Sequence, residues 1–178
     1  YRTRMDVKSH ILHYPQKPLI KSKFSKYLFT DELPHGINAI VAIGCFSGYN
    51  QEDSIILNKD AIRRGLFRST KFRTYILREE LDNGKIVERI CNPTFEANVR
   101  NMKSGDYTKL DNNGIIRMSD QKVNENDILV GKCVVTKEVD ADGNPILIDN
   151  SEYIKRNEDG YVDRVFVNKG NEGQKYCK

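Results

Sequence analysis

The chain has 178 residues, of which 38% are apolar and 30% are charged, and its formal net charge is +4. This length suffices for one domain or two small ones, and the composition is typical of a polar surface around a modest core. No apolar run approaches the roughly 20 residues that cross a bilayer, so no membrane partner is predicted. The chain lacks a starting Met and ends in strand-like residues, so we expect a segment of a longer protein.

The charge is distributed unevenly along the chain. Residues 1–78 contain 14 Lys and Arg against 6 Asp and Glu, a net charge of +8, whereas residues 79–178 contain 15 against 19, a net charge of −4. A basic first part fits a polyanionic partner such as nucleic acid. From the charge alone, a solvated basic surface is the simpler interpretation.

The cysteines and histidines predict no zinc site. The four cysteines stand at least 42 residues apart, so the chain has no CxxC motif. Since no signal peptide is visible, reduced thiols in an intracellular protein are the preferred interpretation. His10 and His13 could share one helix face, but no third ligand lies nearby, so we expect surface or packing roles for both.

The first part of the chain predicts two short strands and a helix around an acidic segment. Ile37–Phe46 is rich in β-branched residues and indicates a buried strand, and Ile55–Leu57 indicates a second one. Between them lies GYNQEDS (48–54), in which two acids are adjacent. Asn58 is a good N-cap for a short helix that ends near Gly65.

After residue 68 the sequence becomes a series of β-prone runs separated by polar turns. Phe72–Leu81 and Lys85–Cys91 flank Asp-Asn-Gly (82–84), and Asn-Gly between such runs predicts a hairpin. Further turns are predicted at 111–114, 140–145 and 157–160, with β-prone segments at Asp127–Val135 and Tyr161–Asn168. The sequence therefore predicts a β-rich second part. We place its boundary near residues 68–78, where the net charge and the pattern of β-prone runs and turns change.

Glu52 and Asp53 are candidate ligands for a hard cation. Mg²⁺ prefers oxygen ligands and is often shared between one or two carboxylates and substrate phosphates. If the segment is extended, adjacent side chains point in opposite directions, so the two acids would not act as a bidentate pair. Taken alone, an ordinary acidic turn explains them more simply.

Three stretches, taken in order, resemble one protein family. PQKPL (15–19), ELPHGINAIVAIGCFSGYNQEDSIILN (32–58) and RRGLFRSTKFRTY (63–75) closely resemble the second-largest, or beta-type, subunit of multisubunit DNA-directed RNA polymerases. The RNA polymerase II type, cellular or from large DNA viruses, is the nearest match. The stretches MKSGDYTKLDNNGII (102–116), DILVGK (127–132) and DGYVDRVFV (159–167) continue the family's order.

The resemblance implies a β-rich α+β fold in two parts. Residues 1–68 are expected to form the first part of the hybrid-binding domain, within a double-psi β-barrel. Residues 69–178 are expected to form the β-rich wall, or flap, incomplete at its C-terminal end. The function implied is a contribution to the polymerase active centre and to holding the RNA–DNA hybrid during transcription.

The resemblance also assigns roles to the acidic pair. Asp53 matches the position that approaches the second, nucleotide-associated Mg²⁺, which is shared with the largest subunit and the incoming NTP. Glu52 matches its neighbour, which shapes the site electrostatically. The aspartates that hold the first metal belong to the largest subunit, so this chain is not expected to act alone. The reaction implied is two-metal nucleotidyl transfer, in which the RNA 3′-hydroxyl attacks the NTP.

The remaining expectations concern nucleic-acid contacts, partners, location and the alternative function. Arg68, Lys71 and Arg73 are the local candidates for nucleic-acid contact, and salt bridges within the polymerase are an equal alternative for them. The partners implied are the largest and other polymerase subunits, template DNA, nascent RNA and NTP, with Mg²⁺ as cofactor. The location implied is the nucleus, or for a viral protein the virus factory, the virion or the host nucleus. The alternative function is a stand-alone nucleic-acid-binding or structural β module without catalysis.

Overall fold

The computed structural model describes residues 4–117 and 122–178, and the chain divides into two compact units. The N-terminal unit is Tyr1–Arg73 and the C-terminal unit is Thr74–Lys178. The β-rich character predicted from the sequence is confirmed, because the described residues contain many short strands and a single five-residue α-helix. None of the described helices is long and apolar enough to span a membrane.

The regular structure of the N-terminal unit is one strand pair and one helix. These elements are β1 (Lys8–Leu12), α1 (Lys59–Arg63) and β2 (Ser69–Arg73). The two strands run antiparallel, with Lys8 opposite Arg73 and Leu12 opposite Ser69. The histidines therefore lie on and just beyond a strand, and the helix face considered for His10 and His13 is wrong.

Helix α1 is confirmed where the sequence predicts it. The Asn58 side chain accepts hydrogen bonds from the backbone N–H groups of Asp60 (2.9 Å) and Ala61 (3.1 Å), which satisfies two otherwise unpaired donors. Gly65 follows the helix with a φ of +112°, and a Cβ there would lie 2.8 Å from the Tyr14 ring. Both facts require glycine at this helix end.

Two predicted strands are wrong. Ile37–Phe46 and Ile55–Leu57 contain no strand, and Ile40 and Ile43 are fully exposed. A strand exists only where a neighbouring strand supplies hydrogen-bond partners. No described segment pairs with either run, so their β-branched composition does not make them strands.

The C-terminal unit contains twelve strands among its described residues. They are β3 (Leu77–Arg78), β4 (Glu80–Asp82), β5 (Lys85–Ile90), β6 (Val99–Arg100), β7 (Lys122–Val123), β8 (Ile128–Val130), β9 (Lys132–Val139), β10 (Pro145–Asp149), β11 (Glu152–Tyr153), β12 (Gly160–Tyr161), β13 (Val167–Lys169) and β14 (Lys175–Cys177). A 3₁₀ turn covers Pro93–Phe95.

A five-stranded sheet in the order β4-β5-β9-β10-β6 forms the centre of this unit. Its neighbours are antiparallel except β10 and β6, which are parallel. The predicted hairpin between β4 and β5 is confirmed. Asn83 and Gly84 have φ values of 48° and 77°, the left-handed pair that a type I′ turn requires. A three-stranded sheet β13-β14-β3 and the pairs β11-β8 and β12-β7 complete the unit.

The core of the C-terminal unit consists of one large cluster of buried side chains and a smaller one. The large cluster is mainly aliphatic and contains Ile128 and Ile154, which are both buried almost completely. Burying side chains of this size contributes about 1.5–3 kcal/mol each. Gly114 allows a loop to approach the end of β5, since a Cβ there would lie 2.2 Å from the Cys91 carbonyl oxygen.

Several buried polar side chains in the same unit are hydrogen-bonded to one another or to the backbone. Lys132 donates to Glu88 at 2.6 Å, and the Asn150 amide donates to the other oxygen of that carboxylate at 2.6 Å. Glu79 accepts from the backbone N–H groups of Ile90 (3.1 Å) and Lys175 (2.8 Å), which ties the five-stranded sheet to β14. Such satisfied networks avoid the cost of desolvated, unpaired polar atoms.

Candidate functional site

The adjacent acids occupy a tight turn. The Ser54 N–H donates to the Gln51 carbonyl at 3.2 Å, which places Glu52 and Asp53 at the two central positions. Glu52 has a φ of 55°, whereas the φ of Asp53 is not positive. The segment is therefore not extended, and the orientation expected from an extended backbone is wrong. A left-handed glutamate costs about 1–2 kcal/mol relative to glycine.

Asn50 holds the loop that leads into this turn. Its side-chain oxygen accepts from the Phe46 N–H at 2.9 Å, and its side-chain nitrogen donates to the Gly44 carbonyl at 2.6 Å. Ser47 and Gly48 between them have φ values of 56° and 73°. One amide therefore closes a loop with two left-handed residues, a use typical of asparagine.

Both carboxylates of the turn are exposed and available to a ligand. Within residues 4–117 and 122–178, the side chains of Glu52 and Asp53 form no hydrogen bond and no ion pair. By contrast, the exposed carboxylate of Asp60 lies 3.3 Å from the Arg63 guanidinium.

These carboxylates could supply part of a magnesium site. They are hard oxygen donors, which Mg²⁺ prefers, and no cation within the described residues competes for them. The described parts of the chain contain no cluster of three or more potential metal ligands. A complete metal site at this turn would need ligands from outside the described residues.

A second feature is one face of the strand pair, which holds three cationic side chains and one histidine. Lys8 lies opposite Arg73, and His10 lies opposite Lys71. Because side chains alternate between the two faces of a strand, these four residues share one face. We call it the cationic strand face; Lys8, His10 and Lys71 are exposed and Arg73 is half-buried.

The structure separates the three basic residues predicted to contact nucleic acid. Lys71 and Arg73 belong to the cationic strand face. Arg68 precedes β2 and lies three residues before Lys71, so it is not part of this face. Its carbonyl accepts from the His13 N–H at 2.9 Å, and its guanidinium donates to the Arg63 carbonyl at 3.3 Å. His13 contacts Thr70 on the opposite face, Nε2 to Oγ1 at 2.7 Å.

Three residues of the candidate site were missed from the sequence. Asn50 could have been found, because asparagine side chains commonly hydrogen-bond nearby backbone groups in turns. Lys8 and His10 gave no local signal. They join Lys71 only through the pairing of β1 with β2, which are far apart in the chain.

Comparison with known proteins identifies the family. The model of the family described as RNA polymerase Rpb2, domain 6, matches residues 1–178. The chain belongs to this family. The resemblance predicted from GYNQEDS and its flanks is thereby confirmed over the full chain.

Individual relatives are subunits of polymerases from several kinds of organism. The chain is 45% identical, over 98% of its length, to the DNA-directed RNA polymerase II subunit RPB2 of Encephalitozoon cuniculi. It is 42% identical, over 94% of its length, to a probable RPB2 homolog of Invertebrate iridescent virus 3. It is 36% identical, over its whole length, to the polymerase subunit Rpo2 of Sulfolobus acidocaldarius.

The match covers a small part of each relative. The chain spans 15% of the Encephalitozoon protein, 14% of the viral protein and 16% of the Sulfolobus protein. The acidic turn and the cationic strand face both lie inside the region that the family model matches.

Proposed function

We propose that this chain is part of the second-largest subunit of a DNA-directed RNA polymerase and that its acidic turn serves the nucleotidyltransferase active centre. Asp53 approaches the second, nucleotide-associated Mg²⁺, and Glu52 sets the negative potential beside it. The observation that carries the proposal is the acidic turn itself. Two exposed carboxylates without partners among the described residues stand on a loop closed by Asn50, in a chain whose full length matches polymerase subunits.

The backbone conformation of Glu52 supports this assignment. A glutamate in the left-handed region costs free energy, and such residues persist where the surroundings fix them, often at functional sites. Glycine would form the same turn without that cost but would remove one negative charge from the site. Retaining the acid is therefore consistent with an electrostatic role.

The chemistry of the donors supports a shared site. When bound, Mg²⁺ would neutralise negative charge on the triphosphate and the leaving pyrophosphate. The residues of this chain would hold that ion through Asp53 and would keep the carboxylates correctly placed through Asn50. The remaining ligands would come from the largest subunit and from the NTP, so the chain would have no activity alone.

The two units would have separate tasks in the assembled enzyme. We assign the N-terminal unit to the first part of the hybrid-binding domain, in a double-psi β-barrel, and the C-terminal unit to the wall. The unit boundary at residues 73 and 74 and the β-rich C-terminal unit support this division. Template DNA, nascent RNA and the other polymerase subunits would be the partners. The enzyme would work in the nucleus, or in the virion, virus factory or host nucleus if it is viral.

The test uses a polymerase assembled with the full-length second-largest subunit that carries Asp53→Asn. We expect this variant to assemble normally and to need at least about 10-fold more Mg²⁺ for half-maximal nucleotide addition, because losing even a residue that only supports the direct ligands typically costs about 10- to 100-fold in metal affinity. The measurement is single-nucleotide extension of an RNA primer on a DNA template, titrated with Mg²⁺.

Asp60→Asn is the matched control. It removes the same charge from an exposed carboxylate of the same unit, but one already paired with Arg63. Its Mg²⁺ requirement should equal that of the unmodified enzyme. An unchanged Mg²⁺ requirement for Asp53→Asn would refute the proposed role of the acidic turn.

A further inference from the structure

The chain contains two Asn-Gly pairs, and the fold places them in different surroundings. Asn83-Gly84 forms the turn between β4 and β5, and Asn113-Gly114 lies in the loop that approaches the end of β5. An asparagine side chain reacts readily with the backbone nitrogen of a following glycine, because glycine has no side chain to shield that nitrogen. The two pairs therefore present one reactive sequence in two structural settings.

The pair Asn83-Gly84 is open to this reaction. Both residues are exposed, and a Cβ on Gly84 would have no heavy atom within 4 Å apart from those of its chain neighbours. Within residues 4–117 and 122–178, the Gly84 N–H donates no backbone hydrogen bond, and the Asn83 side chain forms no hydrogen bond. The nitrogen that attacks and the amide carbon that it attacks are both unshielded.

The pair Asn113-Gly114 is held in place by its surroundings. Gly114 is buried, its N–H donates to the Asp111 carbonyl at 3.1 Å, and its carbonyl accepts from the Gly131 N–H at 2.7 Å. The Asp111 carboxylate also accepts from the Asn113 N–H at 2.9 Å and from the Asn113 side-chain amide at 3.5 Å. The same reaction here requires the loop to open first, which breaks these hydrogen bonds.

We propose that Asn83 is a site of spontaneous deamidation, so that the β4–β5 hairpin acquires a covalent modification as the protein ages. The Gly84 backbone nitrogen attacks the side-chain amide carbon of Asn83, loses its proton and expels ammonia, which leaves a cyclic succinimide. Water then adds to either ring carbonyl and breaks the bond between that carbon and the nitrogen. The products are aspartate and isoaspartate, and water is the only other reactant.

The isoaspartate product would disturb the hairpin. In this product the main chain runs through the former side chain and is one methylene longer. The two-residue turn depends on a left-handed pair of residues, and the pairing of Asp82 with Lys85 depends on that turn. Because β4 is an edge strand of only three residues, we expect its pairing with β5 to weaken.

The site lies outside the acidic turn, so the inference stands or falls independently of the proposed function. The test incubates polymerase assembled with the full-length subunit at physiological temperature in mildly alkaline buffer. Trypsin then releases the two Asn-Gly pairs in separate peptides, residues 79–85 and residues 110–117. Mass spectrometry measures the fraction of each peptide in which a carboxylate has replaced the amide, with an unincubated sample as the reference.

We expect Asn83 to convert at least about 10-fold faster than Asn113, because the loop around Gly114 must open before it can react. In the urea-unfolded chain the two asparagines should convert at similar rates, since the fold no longer distinguishes them. Equal rates in the assembled polymerase, a faster rate at Asn113, or no conversion at Asn83 would each overturn the inference.

A matched variant tests the effect on the hairpin. Asn83→Gly keeps a pair of residues that favours the left-handed turn, but it has no amide to lose. Hydrogen exchange of the β4 and β5 amides should become faster during incubation of the unmodified polymerase and should stay constant in the variant. Equal changes in the two proteins would show that deamidation at Asn83 does not weaken this strand pair.

Discussion

The two units of this chain differ in where their apolar side chains lie. In the C-terminal unit, Ile128 is fully buried, and the charged Lys132 and Glu88 are buried as a pair. In the described part of the N-terminal unit, Ile43 is fully exposed, and Gly65 is the only buried residue. The C-terminal unit therefore completes its own core, whereas the N-terminal unit leaves its apolar residues without cover from the described segments.

The exposed apolar residues of the N-terminal unit include those beside the candidate site. The exposed apolar runs flank the acidic turn on both sides, at Ile37–Phe46 and Ile55–Leu57. The proposed function predicts that neighbouring parts of the polymerase cover these runs and fix the turn at the active centre.

Breaking the buried ion pair should have the largest effect. Lys132→Met leaves the Glu88 carboxylate buried without its cation, and removing one partner of a buried pair costs about 3–5 kcal/mol. Hydrogen exchange of the amides in β9 would measure the decrease in stability. The double variant Lys132→Met with Glu88→Leu should recover most of it, because no uncompensated charge remains.

The exposed counterpart in the N-terminal unit provides the contrast. Arg63 and Asp60 are both largely exposed, so Arg63→Met should change stability by less than about 1 kcal/mol. Equal decreases in stability for Lys132→Met and Arg63→Met would contradict the difference between the units.

Truncating one isoleucine in each unit would sharpen the comparison. Ile128→Ala removes buried methyl groups from the centre of the C-terminal core and should cost about 2–5 kcal/mol. Ile43→Ala removes the same atoms from a fully exposed side chain and should stay within about 0.5 kcal/mol. Urea unfolding of the 178-residue chain would measure both, and a substantial cost at Ile43 would mean that its run is buried in solution.

The sequence predicted those elements whose cause is local. The turn of the β4–β5 hairpin needs a left-handed backbone at two residues, and Asn83 and Gly84 adopt this conformation readily. Asn58 accepts hydrogen bonds from the first N–H groups of the helix that follows it. Ile37–Phe46 was predicted wrongly because a strand needs a partner, which a local pattern cannot reveal.

The candidate site was predictable to the same extent. Glu52 and Asp53 were found because the motif around them is specific, but their roles remain predictions. The turn conformation of Glu52 was missed, since a glutamate gives no signal for a left-handed backbone. The sequence identified Lys71 and Arg73 of the cationic strand face. Its other two residues, Lys8 and His10, join them only through the long-range pairing of β1 with β2.

The smallest expected effect concerns pH and the buried Asp149 of the C-terminal unit. Burial by itself raises the pKa of this carboxyl, but hydrogen bonds from the Lys103 N–H, Ser151 and Tyr107 outweigh burial and hold the pKa below its ordinary value. A lowered pKa in the folded state means that the charged form stabilises the fold. This contribution is complete above the unfolded pKa of about 3.9 and is lost as the pH falls through the folded value.

We therefore expect the difference in free energy of unfolding between the unmodified chain and Asp149→Asn to be constant above about pH 5. At lower pH this difference should decrease. Urea unfolding at a series of pH values would measure it. Asp142→Asn, at the exposed turn between β9 and β10, is the control and should show no such decrease. A difference for Asp149→Asn that stays constant down to pH values near about 3 would show that the hydrogen bonds to this carboxylate do not depend on its charge, and the network would then stabilise the C-terminal unit through packing and neutral hydrogen bonds alone.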